Sequence, residues 1–202
     1  MAVDTVAGRQ HWDRAISGWR SDFMPAPAQV HSQRSDLQAL VGRQLRTGWT
    51  GWDPARNAWQ PAIPLVLAFE SGVQLEVAWQ AWDDLSITWS TIDLKRPPTF
   101  FDRPHKWRSS QPHRLAAVAG RVLTGWAVTE SPYFHGDADL TGDLPMDAVA
   151  GWSTQGLWLQ FAGVGLHVYN AADANGISNE PVRPCDAGHT RVAHPNPSET
   201  RA

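Results

Sequence analysis

The chain has 202 residues, 42% of them hydrophobic, and a formal net charge of -3. That is enough apolar material for one packed domain, and it excludes wholesale disorder. The charge balance argues against a strongly basic nucleic-acid binder. The single cysteine, Cys185, rules out a disulfide framework and a multi-cysteine zinc site.

The first segment, residues 1–35, carries Trp12, Ile16, Trp19 and Phe23 at i, i+4, i+7 and i+11. That stripe predicts an N-terminal amphipathic helix docked on a sheet and stopped by Met24-Pro25-Ala26-Pro27. A shorter helix is predicted over Ser35 to Leu40, capped by Ser35.

Residues 36–94 and 115–178 read as two copies of one β unit. Leu40-Val-Gly-Arg-Gln-Leu-Arg-Thr-Gly-Trp49 resembles Val118-Ala-Gly-Arg-Val-Leu-Thr-Gly-Trp126 with one residue deleted. Leu65 to Phe69 matches Leu157 to Phe161, Gly72 to Val77 matches Gly163 to Val168, and Asp83 and Ile87 match Asp173 and Ile177. Within each copy the apolar period is two. Leu65, Leu67 and Phe69 precede a Ser71-Gly72 turn, and Val73, Leu75, Val77 and Trp79 follow it. The pattern predicts a hairpin, with a leading strand before it and a short fourth strand after it. The expected fold class is therefore α+β and β-rich: two tandem antiparallel meanders related by a pseudo-two-fold, with the N-terminal helix across one face.

Residues 95–114 hold four prolines and read as an extended, basic, aromatic linker. Residues 130–150 read as a loop inserted in the second copy. From 179 to 202 there is no apolar period, which predicts a disordered tail. The longest apolar run, Ala62 to Phe69, contains Pro64 and is far short of the roughly 20 residues of a membrane span. The N-terminus lacks the pattern of a signal peptide. These features, with a preference for arginine in which Lys95 and Lys106 are the only lysines, predict a bacterial cytoplasmic protein without a membrane partner.

Each candidate site has a structural counterpart. Phe100, Phe101, Arg103, Trp107 and Arg108 interleave rings with cations, a composition that suits single-stranded nucleic acid or a protein partner. Nothing elsewhere in the chain extends the basic patch, so nucleic acid is the weaker reading. Asp137, Asp139, Thr141 and Asp143 resemble half of a calcium loop, but Ala148 stands where a bidentate Glu belongs. Cys185, His189 and His194 lack a fourth zinc ligand. No metal or cofactor is therefore expected. Glu76 and His167 occupy one slot in the two copies, which a pseudo-two-fold would bring together, and Asp83 recurs as Asp173. These four form the alternative, enzyme-like site; their ordinary roles are solvent contact and turn closure.

The chain has no nucleophile elbow and no phosphate loop. Tryptophan is abundant, with 12 residues, and indoles with arginines are typical of interface centres. The first-ranked function is a non-enzymatic protein-binding module, such as an immunity or inhibitor protein that blocks a partner enzyme or toxin. Its expected contacts are Trp107, Arg108, Phe100, Phe101, Arg103 and Trp158. The alternative is a small hydrolase-like enzyme working between the repeats. The third reading is a nucleic-acid or small-ligand binder using the linker.

Overall fold

The computed structural model describes residues 15–134, 146–180 and 191–193. The first half holds β1 (Met24–Pro25), α1 (Ala26–Ser32), α2 (Arg34–Ala39), β2 (Leu45–Asp53), β3 (Ala58–Trp59), β4 (Leu65–Phe69), β5 (Gln74–Gln80) and β6 (Asp84–Trp89). The segment that follows carries β7 (Thr99–Phe100), β8 (Arg103–Pro104) and β9 (Lys106–Ser109). The second half holds α3 (His113–Ala116), β10 (Leu123–Phe134), β11 (Val149–Phe161), β12 (Val164–Asn170), β13 (Asn175–Ser178) and β14 (Arg191–Ala193). The protein is β-rich α+β, and the strands form antiparallel sheets in the order β1-β6-β5-β4-β2-β3, with β9 also on β2, and β13-β12-β11-β10-β14.

The period-two runs form the hairpins they predict. Leu67 pairs with Leu75 and Leu65 with Val77; in the second half Leu159 pairs with Leu166 and Leu157 with Val168. Gly72 and Gly163 take positive φ at the two turns, where a side chain would be strained. The inward rows of both sheets meet in one core with Leu37 and Leu40 of the first half and Leu115 and Val118 of the second. Burying such side chains contributes roughly 1.5–3 kcal/mol each.

The helices pack across the halves. Leu115 of α3 lies against Gly48 of β2, and Gln38 of α2 accepts a hydrogen bond from Trp126 Nε1 of β10 at 3.3 Å. Next to these contacts the backbones bond reciprocally. Gly42 N donates to Leu123 O (2.8 Å) and Gly120 N to Leu45 O (2.7 Å). Leu45 N donates to Arg121 O (2.8 Å) and Leu123 N to Arg43 O (2.9 Å), around an antiparallel bridge of Gln44 and Val122.

Several expectations need correction. No helix covers Ile16 to Phe23. Gly18 takes φ +83, which breaks a helix, and its α-carbon abuts the Thr91 carbonyl so closely that only hydrogen fits. The apolar residues are nonetheless buried: Ile16, Trp19 and Phe23 cover the outer face of β4 and β5 with Val66, Ala78, Ile63 and Ile92. Ser35 is no cap, because α2 begins at Arg34 and the position before it is Gln33, which makes no side-chain cap bond.

The one-residue deletion is also absent. Both leading strands carry a bulge after their first leucine, so Gly48 faces Leu67 and Trp126 faces Leu159. Trp49 instead pairs with Val66 on the outer face. The two Thr-Gly-Trp runs therefore match in letters but not in position. The proline-bearing segment 95–114 is no free linker either: β7 and β8 form a two-stranded ribbon, and β9 pairs with β2. In the tail, Val192 pairs with Thr129 of β10.

Candidate functional site

Glu76 and His167 lie far from a shared site, because each points to the outer face of its own sheet while the inner faces meet. Glu76 is buried under the N-terminal segment. Its Oε2 accepts from the hydroxyls of Thr88 and Thr91 (2.6 Å each), and its Oε1 from the amides of Thr91 and Ile92 (2.7 Å each). Trp19 Nε1 donates to the same Thr88 hydroxyl at 3.1 Å. The carboxylate ties a coil segment to the sheet and has no face left for a substrate. His167 Nε2 lies 2.8 Å from Thr129 Oγ1, and burial pushes its pKa down to about 4.

The aromatic and basic candidates separate into two groups. Trp107 is half-buried against the outer cluster, and its indole N–H donates to Arg96 O at 2.9 Å. The guanidinium of Arg108 lies over the Trp52 ring, 4.6 Å from its centroid, and Trp158 lies across Gly165, where no Cβ would fit. Phe100, Phe101 and Arg103 instead belong to the β7–β8 ribbon. The calcium candidates Asp137, Asp139, Thr141 and Asp143, and the zinc candidates Cys185, His189 and His194, lie outside the described residues.

Two surfaces remain. The first is the end of the molecule where the β5–β6 and β12–β13 turns meet. Trp82 is 77% exposed there, the most exposed large apolar side chain among the described residues. Its turn is held from the other half: Asn170 Nδ2 donates to the carbonyls of both Ala81 and Trp82 at 2.9 Å. The Asn170 Oδ1 accepts from Asp173 N, closing a turn in which Ala172 and Asp173 both take positive φ. Such a mirror-image turn matches the twist of its flanking strands. Asp83, Asp84 and Asp173 surround Trp82 in sequence or across the turn, and no Lys or Arg occurs in residues 72–93 or 161–180. This end is acidic with a ring at its tip.

The second surface is a cleft of about 410 Å³ between the β2–β3 turn and the β7–β8 ribbon. Asp53, Arg56 and Gln60 line one side; Phe100, Phe101, Arg103 and His105 line the other. Burial would raise the Asp53 pKa, but the amides of Arg56 and Ala55 and the charges of His105 and Arg56 hold it below the usual carboxylate range. His105 is only 3% exposed. Its Nδ1 lies 3.0 Å from Arg103 O, a contact in which the ring N–H donates, since a carbonyl only accepts. Its Nε2 has no partner among the described residues. The sequence reading missed Asp53, Arg56, Gln60 and His105. His105 sat inside the basic aromatic run, but nothing local marks the β2–β3 turn as its neighbour.

No protein-family model matches this chain, and neither curated proteins nor solved structures give a match. Among the described residues, no group of three or more His, Cys, Asp or Glu side chains is placed to hold a metal ion. No helix among them is long and apolar enough to cross a membrane.

Proposed function

We propose that this protein is a non-enzymatic protein-binding module that engages its partner through the acidic end carrying Trp82. The observation that carries the reading is an indole left in water on a turn whose carbonyls are clamped by Asn170. Exposure of such a ring forgoes roughly 1.5–3 kcal/mol, judged from burial of other large apolar side chains. A rigid turn lowers the ordering cost when a partner buries the ring. The carboxylates around it favour a basic partner surface, and arginine suits it doubly by pairing with Asp and stacking on indole. An inhibitor or immunity protein covering a basic enzyme or toxin is the concrete form of this reading.

The anchor thus moves from Trp107 and Arg108 to Trp82. The test is quantitative capture of partners from the native host, comparing the wild-type chain with Trp82→Ala, Asp83→Asn and Trp107→Ala. The expected result is a partner lost with Trp82→Ala, weakened by Asp83→Asn and by added salt, and kept by Trp107→Ala. Equal capture by folded Trp82→Ala protein rejects the surface.

The same proposal extends to origin: the two halves descend from one duplicated helix-and-meander unit with a pseudo-two-fold between them. In support, Leu37 to Leu45 aligns without a gap on Leu115 to Leu123, sharing Gly42-Arg43 and Gly120-Arg121, and the backbone bonds between these segments are reciprocal. An experimental structure tests it. Superposing the halves should place Leu67 on Leu159 and Leu75 on Leu166, and a fit that puts these pairs on different faces ends the argument.

A further inference from the structure

We propose that the cleft between the β2–β3 turn and the β7–β8 ribbon binds a small organic anion: a carboxylate or phosphate carried on an apolar ring. This site is separate from the Trp82 end and does not depend on its reading.

Asp53 lines the cleft on the β2 side. Its Oδ1 accepts from the amides of Ala55 (2.8 Å) and Arg56 (3.2 Å), and Arg56 Nε stands 3.8 Å from Oδ2. The one carboxylate lining the cleft among the described residues is therefore occupied in closing its own turn. Arg103 differs. Its side chain has no hydrogen-bond or carboxylate partner among the described residues, although Asp102 precedes it in the turn. Its backbone carbonyl meets His105 Nδ1 at 3.0 Å, and that imidazole is almost wholly buried. A buried ring thus fixes the root of an unpaired guanidinium at the rim. A guanidinium with fork-shaped donors recognises carboxylate and phosphate.

The lining also supplies apolar and neutral polar groups. Phe100 and Phe101 meet edge to face at 4.5 Å, and Phe101 is 71% exposed although it neighbours the cleft. A ligand ring laid on Phe101 would cover it. Gln60 uses its side-chain oxygen on Ala62 N, so its NH2 group is the available donor. The unpartnered His105 Nε2 marks the wall as incomplete, since a buried polar atom without a partner costs about 1–3 kcal/mol. A ligand or the water that accompanies it can supply that partner.

The experiment is a nitrogen-15 NMR titration of the full chain with benzoate and with phenyl phosphate. Benzyl alcohol, benzylammonium and inorganic phosphate are the controls. Both ring-bearing anions should shift the amides of Ala55, Arg56 and Phe100 to Arg103 more strongly than any control. Arg103→Gln should weaken binding about tenfold or more, and Phe101→Ala should weaken the ring-bearing anions but not inorganic phosphate. Both substitutions fall on exposed side chains, and the rest of the spectrum reports that the fold is kept. Binding of benzyl alcohol or benzylammonium equal to that of benzoate would overturn the anion assignment. Unchanged affinity in Arg103→Gln would do the same, and absence of any shift in the millimolar range would overturn the site itself.

Discussion

Gly42 and Gly120 stand in reciprocal positions: each donates its amide to the leucine that opens the other half's leading strand, Leu123 and Leu45. Both take positive φ, +86 and +75, and neither has a heavy atom within 4 Å of where a Cβ would sit. Substitution therefore meets a backbone penalty and no clash. Gly42→Ala and Gly120→Ala should each cost about 1–2 kcal/mol, and the two costs should agree within about 0.5 kcal/mol. Urea denaturation of the two variants checks this, and a large difference would mean that the two junctions carry unequal loads.

Glu76 holds β6 and the segment after it to β5 through four donors, supplied by Thr88, Thr91 and Ile92. Glu76→Ala leaves those donors buried and unpaired and should cost about 3 kcal/mol or more. Glu76→Gln keeps an acceptor for the two amides and lets the hydroxyls rotate, so it should cost less. The indole of Trp19, bonded to the Thr88 hydroxyl, gives the local readout. Its emission should move toward the red in Glu76→Ala before global unfolding begins.

His167 makes stability depend on pH. Burial lowers its pKa from 6.5 to about 4 in the folded chain. Between those values the unfolded chain binds a proton that the folded chain does not, so stability falls as pH falls through this window. The contribution is fully present above pH 6.5, and its loss by pH 4 is roughly 3 kcal/mol. His167→Gln should flatten this part of the profile. Denaturation midpoints measured between about pH 7 and pH 4, in wild type and variant, test the sign. Parallel profiles would assign the acid loss to other groups.

The edge pairing of β14 makes truncation informative. Removing residues 181–202 takes away the partner of Val128 to Glu130. A few edge hydrogen bonds are worth about 1–2 kcal/mol in all, so the shortened chain should remain folded. Amide exchange along this stretch of β10 should quicken, while that of Leu157 to Phe161 stays slow. An unchanged pattern would show that β14 contributes no protection.

What the sequence determined by itself is the local periodic structure. Leu65 to Phe69 and Gln74 to Gln80 alternate around a glycine turn, as do Leu157 to Phe161 and Val164 to Asn170, because strand geometry sends successive side chains to opposite faces. The stripe Ile16, Trp19 and Phe23 correctly marked residues that bury together, but not their conformation. Apolar spacing records which side chains leave water, and the Gly18 backbone angle decided against a helix. Glu76 reads as solvent-facing in its alternating run, and only the cover supplied by residues 15–23 and 91–92 turns it into a buried anchor. The sequence singles out Trp107 for exposure and passes over Trp82. Pairing of β9 with β2 shelters the first, while a hairpin tip leaves the second in water. The cleft was likewise out of reach, because Asp53 and His105 meet through strand pairing across some fifty residues, and no local pattern encodes that contact. Such relationships arise from the register and packing of distant segments, which depend on the summed burial of the whole core.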